Sequence, residues 1–174
     1  MKFNIQPILE NEDVILYPLL AKDFDELYAV ASDPEVWEQH PNKDRWREDV
    51  FRSFFDGAMD SKGAFKIISK FTGEIAGSTR IYDYNEAENS VFVGYTFYGT
   101  KYWGKGINLA VKQMMLDYLF KYVSKVYFHV GSFNRRSQIA VERLGAKKIG
   151  ELSVAYVGEE PRDNYVYVIE KAAV

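Results

Sequence analysis

The stretch Tyr98-Gly99-Thr100-Lys101-Tyr102-Trp103-Gly104-Lys105-Gly106-Ile107-Asn108 decides how this chain is read. A β-branched and aromatic run, Ser90 to Tyr98, ends there. A short glycine-containing loop follows, and an amphipathic pattern starts inside it. Ile107, Val111, Met114, Met115, Tyr118 and Tyr122 recur at helical spacing and predict a helix across Gly104 to Val123. The first amides of a helix lack internal partners and carry partial positive charge, so the junction suits an anion. Gly104 and Gly106 remove side chains that would hold a phosphate away, and Lys101 and Lys105 add charge. A plain turn with two glycines gives the same pattern, so both readings stand on this stretch alone. Two phosphate motifs fail. A nucleoside-triphosphate loop needs Ser or Thr after its Lys, where this chain has Gly106; a dinucleotide fingerprint needs a third Gly where Leu109 stands.

Working outward, the N-terminal side predicts a strand at Asp13 to Leu19, a helix at Lys22 to Ser32 closed by Asp33-Pro34, and a second helix at about Asp44 to Asp60. In that second helix Trp46, Val50, Phe54 and Ala58 stack at intervals of four, with Trp46 read as core. Ala64 to Ser69, Glu74 to Asp83 and Ser90 to Tyr98 read as an antiparallel meander with turn-like breaks. Beyond the long helix come a strand at Lys125 to Val130, a helix at Asn134 to Leu144 ending at Gly145, and strands at Lys147 to Val157 and Asn164 to Glu170. The order implies an α+β domain: a mixed, mostly antiparallel sheet of about seven strands with about four helices on its faces. No linker, repeat or low-complexity tract divides residues 1–174, so one domain is expected.

Composition narrows the function. Lys and Arg number 22 against 25 Asp and Glu, for a net charge of −3, too little positive charge for a nucleic-acid binder. The absence of cysteine excludes disulfides, thiolate metal sites and a cysteine nucleophile. The two histidines have no metal-ligand spacing, so no metal is expected. No apolar run approaches the roughly 20 residues of a membrane span, and no signal-peptide pattern is seen, so the expectation is a cytoplasmic chain, monomer or homodimer, without a membrane partner. Aromatic residues make up 16%, enough for a heavily packed core or a stacking-lined pocket.

A wider set of motifs accompanies the loop. Leu16-Tyr17-Pro18-Leu19, Ser32-Asp33-Pro34-Glu35-Val36, Gly77-Ser78-Thr79-Arg80, Val93-Gly94-Tyr95, Trp103-Gly104-Lys105-Gly106, Asn134-x-x-Ser137 and Leu144-Gly145-Ala146 occur in that order. With Lys101-x-x-Gly104-x-Gly106, this resembles the Gcn5-related N-acetyltransferase superfamily, in the branch of ribosomal-protein N-terminal alanine and serine acetyltransferases. The resemblance covers nearly the whole chain. It implies acetyl-coenzyme A as cofactor, with Lys101, Trp103 and the segment Gly104, Lys105, Gly106, Ile107 and Asn108 around the pyrophosphate. It also implies that the strand ending at Phe97 and Tyr98 splays from Lys125 to Val130, and that pantetheine lies in that cleft. An amide near Tyr98 would polarise the thioester carbonyl. Asn134 would contact the cofactor, cap its helix, or do both.

The resemblance also shows departures. The family's tyrosine acid, seven residues after the asparagine, is replaced by Val141, and Ser137 is implied to serve instead, either at the sulfur or as a small packing residue. The usual glutamate base is replaced by Phe92, and no acid occurs between Glu88 and Asp117. A lysine acceptor, with a pKa of about 10.4, needs a base more than an α-amine at about 7.7–8.0 does, so the absence tilts toward a low-pKa amine. His129, His40, Glu88 and Asp83 are alternative bases. Trp37, Arg80 and Tyr95 are the candidates for substrate contact, with core packing the alternative for Trp37 and ion pairing for Arg80. The implied activity is direct acetyl transfer to a primary amine, of a protein N-terminus or a small molecule. The alternatives are a non-catalytic coenzyme A-binding module and an acetyltransferase for polyamines, aminoglycosides or amino acids.

Charge is uneven along the chain. Residues 89–141 hold seven basic side chains and one acid, while the first 60 hold 6 basic and 14 acidic. This pattern predicts a basic cofactor half beside an acidic remainder whose field favours a cationic amine.

Overall fold

Val14 and Leu16 are buried while Tyr17 faces outward, the period-two pattern of a half-buried strand. The computed structural model describes residues 3–155 and 159–172. Its strands are β1 (Leu9–Glu10), β2 (Val14–Pro18), β3 (Ala64–Ser69), β4 (Ile75–Asn85), β5 (Ser90–Tyr98), β6 (Lys125–Gly131), β7 (Lys147–Val154) and β8 (Arg162–Glu170). They form one sheet in the order β1-β2-β3-β4-β5-β6-β8-β7. All pairings are antiparallel except β5 with β6. The sheet has eight strands rather than about seven because the two-residue β1 adds an edge against β2, too short to leave a sequence pattern. The expected strand at Lys147 to Val157 is observed to Val154; positions 156 and 157, and the turn at Gly158, lie outside the described residues.

Four helices cover the faces: α1 (Phe24–Ala31), α2 (Glu48–Ser61), α3 (Ile107–Leu119) and α4 (Arg135–Arg143). On one face, Leu27, Trp37, Phe51, Phe54, Phe55 and Phe97 form an aromatic core under α1 and α2. On the other, Ile107, Val111, Met115, Leu119, Phe128 and Val141 pack α3 and α4 onto the sheet. The 16% of aromatic residues therefore serves first as packing, with Trp37 wedged against Phe97 at 4.8 Å and Phe54 at 5.8 Å. The second helix starts at Glu48, later than the pattern suggests, and its buried face is Phe51, Phe54, Phe55 and Ala58. Trp46 precedes that helix and is 38% exposed, so it is not core; its carbonyl accepts from Tyr28 Oη at 2.8 Å. No helix among the described residues is long and apolar enough to cross a membrane.

Gly77 on β4 shows how closely the central strands approach. A Cβ there would sit 2.0 Å from the Phe97 carbonyl oxygen of β5. Because that atom is backbone, Gly77→Ala must push β4 from β5. The expected loss is about 2–3 kcal/mol, read as a lower denaturant midpoint with unchanged slope.

Candidate active site

Two backbone irregularities create the site. The parallel ladder of β5 and β6 joins only Ser90, Val91 and Phe92 to Lys125, Val126 and Tyr127. Beyond it the strands diverge, leaving residues 93–98 and 128–131 facing each other across a gap. The β4–β5 register also shifts: Ser78 pairs with Phe97 and Arg80 with Gly94, so Tyr95 and Thr96 oppose Thr79 alone. This is a β-bulge, and Tyr95 adopts φ +53°, a left-handed conformation costly for an aromatic residue. The Arg80 guanidinium lies 3.7 Å from the Tyr95 ring centroid, and Tyr82 packs edge-on to Tyr95 at 5.0 Å.

The gap opens into one continuous cavity of about 630 Å³. Where α3 begins the wall is Trp103, Gly104, Gly106, Ile107 and Asn108; α4 contributes Arg136, Ser137 and Val141, with Gln39 accepting from Arg136 N–H at 3.1 Å; the remaining wall includes His40, Arg45, Tyr82, Tyr95 and His129. Gly104 and Gly106 have φ of +72° and +76°, and an added Cβ at either would meet nothing within 4 Å, so both face open space. The first helical bond of α3 runs from Ala110 N–H to Gly106 O at 3.1 Å, which leaves the preceding amides outside the helical ladder. Trp103 donates its indole N–H to Tyr98 O at 3.1 Å, and the Arg136 guanidinium lies 3.8 Å from the Trp103 ring centroid, joining loop and α4 across the mouth. Asn134 caps α4 by accepting from Ser137 N–H at 3.1 Å.

Electrostatically the walls are one-sided. Among the described residues lining the cavity there is no Asp or Glu, whereas Arg45, Lys112, Arg135, Arg136 and Arg143 are present. The acidic N-terminal segment thus places no carboxylate on the wall. Arg45 is matched from behind by Glu159, bidentate at 2.7 and 2.8 Å. Burial, then Arg45 and Arg136, bring the His40 pKa down to about 3, and burial also lowers that of His129, with Asp83 opposing; both imidazoles favour the neutral form. Lys112 is 5% exposed and hydrogen-bonds Thr79 Oγ1 at 3.1 Å and Thr96 Oγ1 at 2.5 Å; burial brings its pKa down to about 7.

The candidates from sequence divide cleanly. Phe97, Tyr98, Trp103, Gly104, Gly106, Ile107, Asn108, Asn134, Ser137 and Tyr95 all line the cavity. Lys101 and Lys105 do not: both border a smaller neighbouring depression, and Lys101 Nζ donates to exposed Glu74 at 3.0 Å. Trp37 and Arg80 are off the wall as well. Trp37 is fully buried, donating its indole N–H to Ala31 O at 2.8 Å, and Arg80 stands behind Tyr95. Sequence reasoning gave no site role to Gln39, Arg45, Lys112 or Arg136. A lysine on the buried stripe of an amphipathic helix was the one legible signal.

A family model described as acetyltransferase (GNAT) domain matches residues 13–147, and the chain belongs to that family. Among solved structures it is similar to a GCN5-related N-acetyltransferase from Brucella melitensis, at 21% identity and TM-score 0.81 over 95% of this chain and 79% of the other. An acetyltransferase of the GNAT family from Bacillus anthracis matches at 20% and TM-score 0.70, over 94% and 98% of the two chains. Mycobacterium smegmatis RimJ, solved in complex with CoA-disulfide, matches at 20% and TM-score 0.72, over 94% and 86%. A comparison with curated protein sequences finds no match. The protein is an acetyltransferase, and its cofactor is acetyl-coenzyme A.

The residues present fit that cofactor. The glycine positions leave open space before the helix amides, and two buried polar atoms of residues that line the cavity, Tyr98 Oη and Asn108 Oδ1, have no hydrogen-bond partner among the described residues.

Lys112 makes stability depend on pH. The folded chain holds its proton less tightly (pKa about 7) than the unfolded chain (10.5), so between those values the unfolded state binds more protons and stability rises with pH. Below about 7 both states are charged and the full burial penalty stands. Lys112→Met should therefore melt above wild type near neutrality, with a ceiling of about 5 kcal/mol on the gain. Differential scanning calorimetry should show the gap narrowing as pH rises toward about 10.

Proposed function

We propose that this chain transfers the acetyl group of acetyl-coenzyme A directly to an uncharged primary amine of low pKa, either a peptide N-terminal α-amine or a comparable small-molecule amine. The observation that carries this is a single cavity with an anion-ready helix terminus at one end and an acid-free aromatic pocket at the other. Polyamines and aminoglycosides carry several positive charges and need carboxylates to hold them; Arg45, His40, His129, Tyr82 and Tyr95 supply none.

In this reading the amides from Gly104 to Asn108 hold the diphosphate, with Trp103 and Arg136 at its side. The backbone of Phe97 and Tyr98 takes the cofactor arm as an added strand. An amide near Tyr98 polarises the acyl carbonyl. Asn134 acts by fixing the start of α4, which sets Ser137 on the wall for a hydrogen bond near the sulfur. Lys101 and Lys105 contribute charge at a distance. Arg80 and Trp37 act from behind, Arg80 by holding the Tyr95 ring and Trp37 by packing Phe97. With both histidines favouring the neutral form and no carboxylate on the wall, the acceptor arrives uncharged or loses its proton to water.

Release of coenzyme A thiol should be measured against peptides with free α-amines, the same peptides acetylated at that amine but bearing lysine, and polyamines. Turnover with free α-amines well above the other two is expected. Equal or greater turnover with polyamines overturns the acceptor assignment, and cofactor binding without turnover on any amine overturns the activity.

Two substitutions test the roles. Gly106→Val fills open space at positive φ, so the fold should survive at a strain of about 1–2 kcal/mol. Acetyl-coenzyme A affinity, by calorimetry, should fall at least about tenfold because the side chain stands before the amides. Ser137→Ala should lower kcat by about tenfold or more with little change in cofactor affinity; equal kcat removes Ser137 from the chemistry.

A further inference from the structure

Lys112 has an arrangement that the site as described does not use. It lies on the buried face of α3, yet it is on the cavity wall. Its ammonium has three N–H donors, and two are spent on Thr79 Oγ1 and Thr96 Oγ1, which also bond each other at 2.9 Å. No ion pair among the described residues involves it. A buried ammonium without a carboxylate is costly, and one N–H remains for whatever fills the cavity.

Its place along the cleft narrows what that partner is. Lys112 is six residues past Gly106, about 9 Å along the helix axis. Thr96, which it bonds, sits at the bulge in the diverging part of β5, between the α3 terminus and the point where β5 and β6 meet at Phe92 and Tyr127. A cofactor arm that leaves its diphosphate at the α3 terminus and runs toward that meeting point brings its acyl end abreast of Lys112. Resting on the acetyltransferase reading above, we infer that Lys112 faces the cofactor sulfur and supplies the charge and the proton taken up by the leaving thiolate.

The step balances. The acceptor nitrogen bonds to the acetyl carbon, and the carbon–sulfur bond breaks with its electron pair passing to sulfur. Lys112 Nζ gives sulfur a proton, the nitrogen's surplus proton leaves to water, and water recharges Lys112. The products are the acetylated amine and coenzyme A thiol. Burial, by holding the Lys112 pKa near 7, lets the amine both give and regain a proton near neutrality. The charged and titratable groups on the surrounding elements are Tyr82 on β4, Tyr95 and Tyr98 on β5, both held toward the neutral form by burial, Tyr102 in the loop before α3, His129 on β6, Arg135, Arg136 and Arg143 on α4, and His40 and Arg45 before α2. None is an acid that would pin the proton on Lys112. Val141, where the family resemblance implies a tyrosine, has no proton to give, and Ser137 offers a hydrogen bond rather than a charge.

The test compares wild type with Lys112→Met, in which Thr79 and Thr96 keep their mutual hydrogen bond. With coenzyme A bound, thiolate absorbance is titrated against pH, using desulfo-coenzyme A as the blank. The bound thiol of wild type should ionise about one pH unit earlier than in K112M, a tenfold difference. K112M should also lose about 100-fold in kcat while its affinity for acetyl-coenzyme A stays within about threefold. Superimposable thiol titrations in two proteins that both bind coenzyme A overturn the inference and leave the acetyltransferase reading standing. Failure of wild type to bind coenzyme A instead overturns that reading. Should K112M not fold, NMR titration of the Lys112 side chain in wild type decides: its midpoint should rise with coenzyme A and not with desulfo-coenzyme A, and an equal response to both overturns the assignment.

Discussion

The parallel ladder between β5 and β6 ends after Phe92 and Tyr127, so two strands in the middle of a sheet carry backbone donors and acceptors that no neighbouring strand meets. Backbone polar groups in such a place require partners, and in the proposed function an extended cofactor arm supplies them as an added strand would. The rest of the architecture keeps this gap open. The bulge at Tyr95 bends β5 away, β8 holds β6 along its whole length from Lys125 to Gly131, and α3 and α4 pack on one face with the cleft between them. On the opposite face Trp37, Phe51 and Phe54 pack around Phe97 and tie β5 into a second core.

Charge then sorts the two ends of the cavity. The N-terminus of α3 and the arginines of α4 make one end favourable to phosphate, while the proposed acceptor end combines histidines that burial biases toward the neutral form, aromatic rings and an Arg45 bonded to Glu159. Such a pocket gives no advantage to a polycation. The net charge of −3 hides this, because among the described residues the acids of the N-terminal half lie off the cavity wall, most of them solvated and Asp23 buried against Lys66.

Much of the fold was legible because it is written in local periodicity. The strand at Ala64–Ser69, the helix after Gly106 and the cap at Asn134 follow from alternation, a helical stripe and a side-chain oxygen at a helix start. Most of the proposed cofactor residues were legible too, since a strand–glycine loop–helix junction is a contiguous stretch. Trp46 was misread because interval-four spacing continued past the point where the helix begins, and spacing alone does not mark where a helix starts. Lys101 looked like a phosphate ligand from its sequence neighbours, but its side chain turns to Glu74 on the other side of the loop.

The sequence by itself determined the α+β order of elements, the glycine junction that opens α3 and the absence of cysteine chemistry, because each depends on residues near one another in the chain. The tertiary structure alone decided that Lys112 meets Thr79 and Thr96, that Arg45 meets Glu159, and that Tyr95 occupies a strained bulge. Those partners are 16 to 114 residues apart, and what brings them together is the packing of helices over a divergent sheet, which no local pattern encodes.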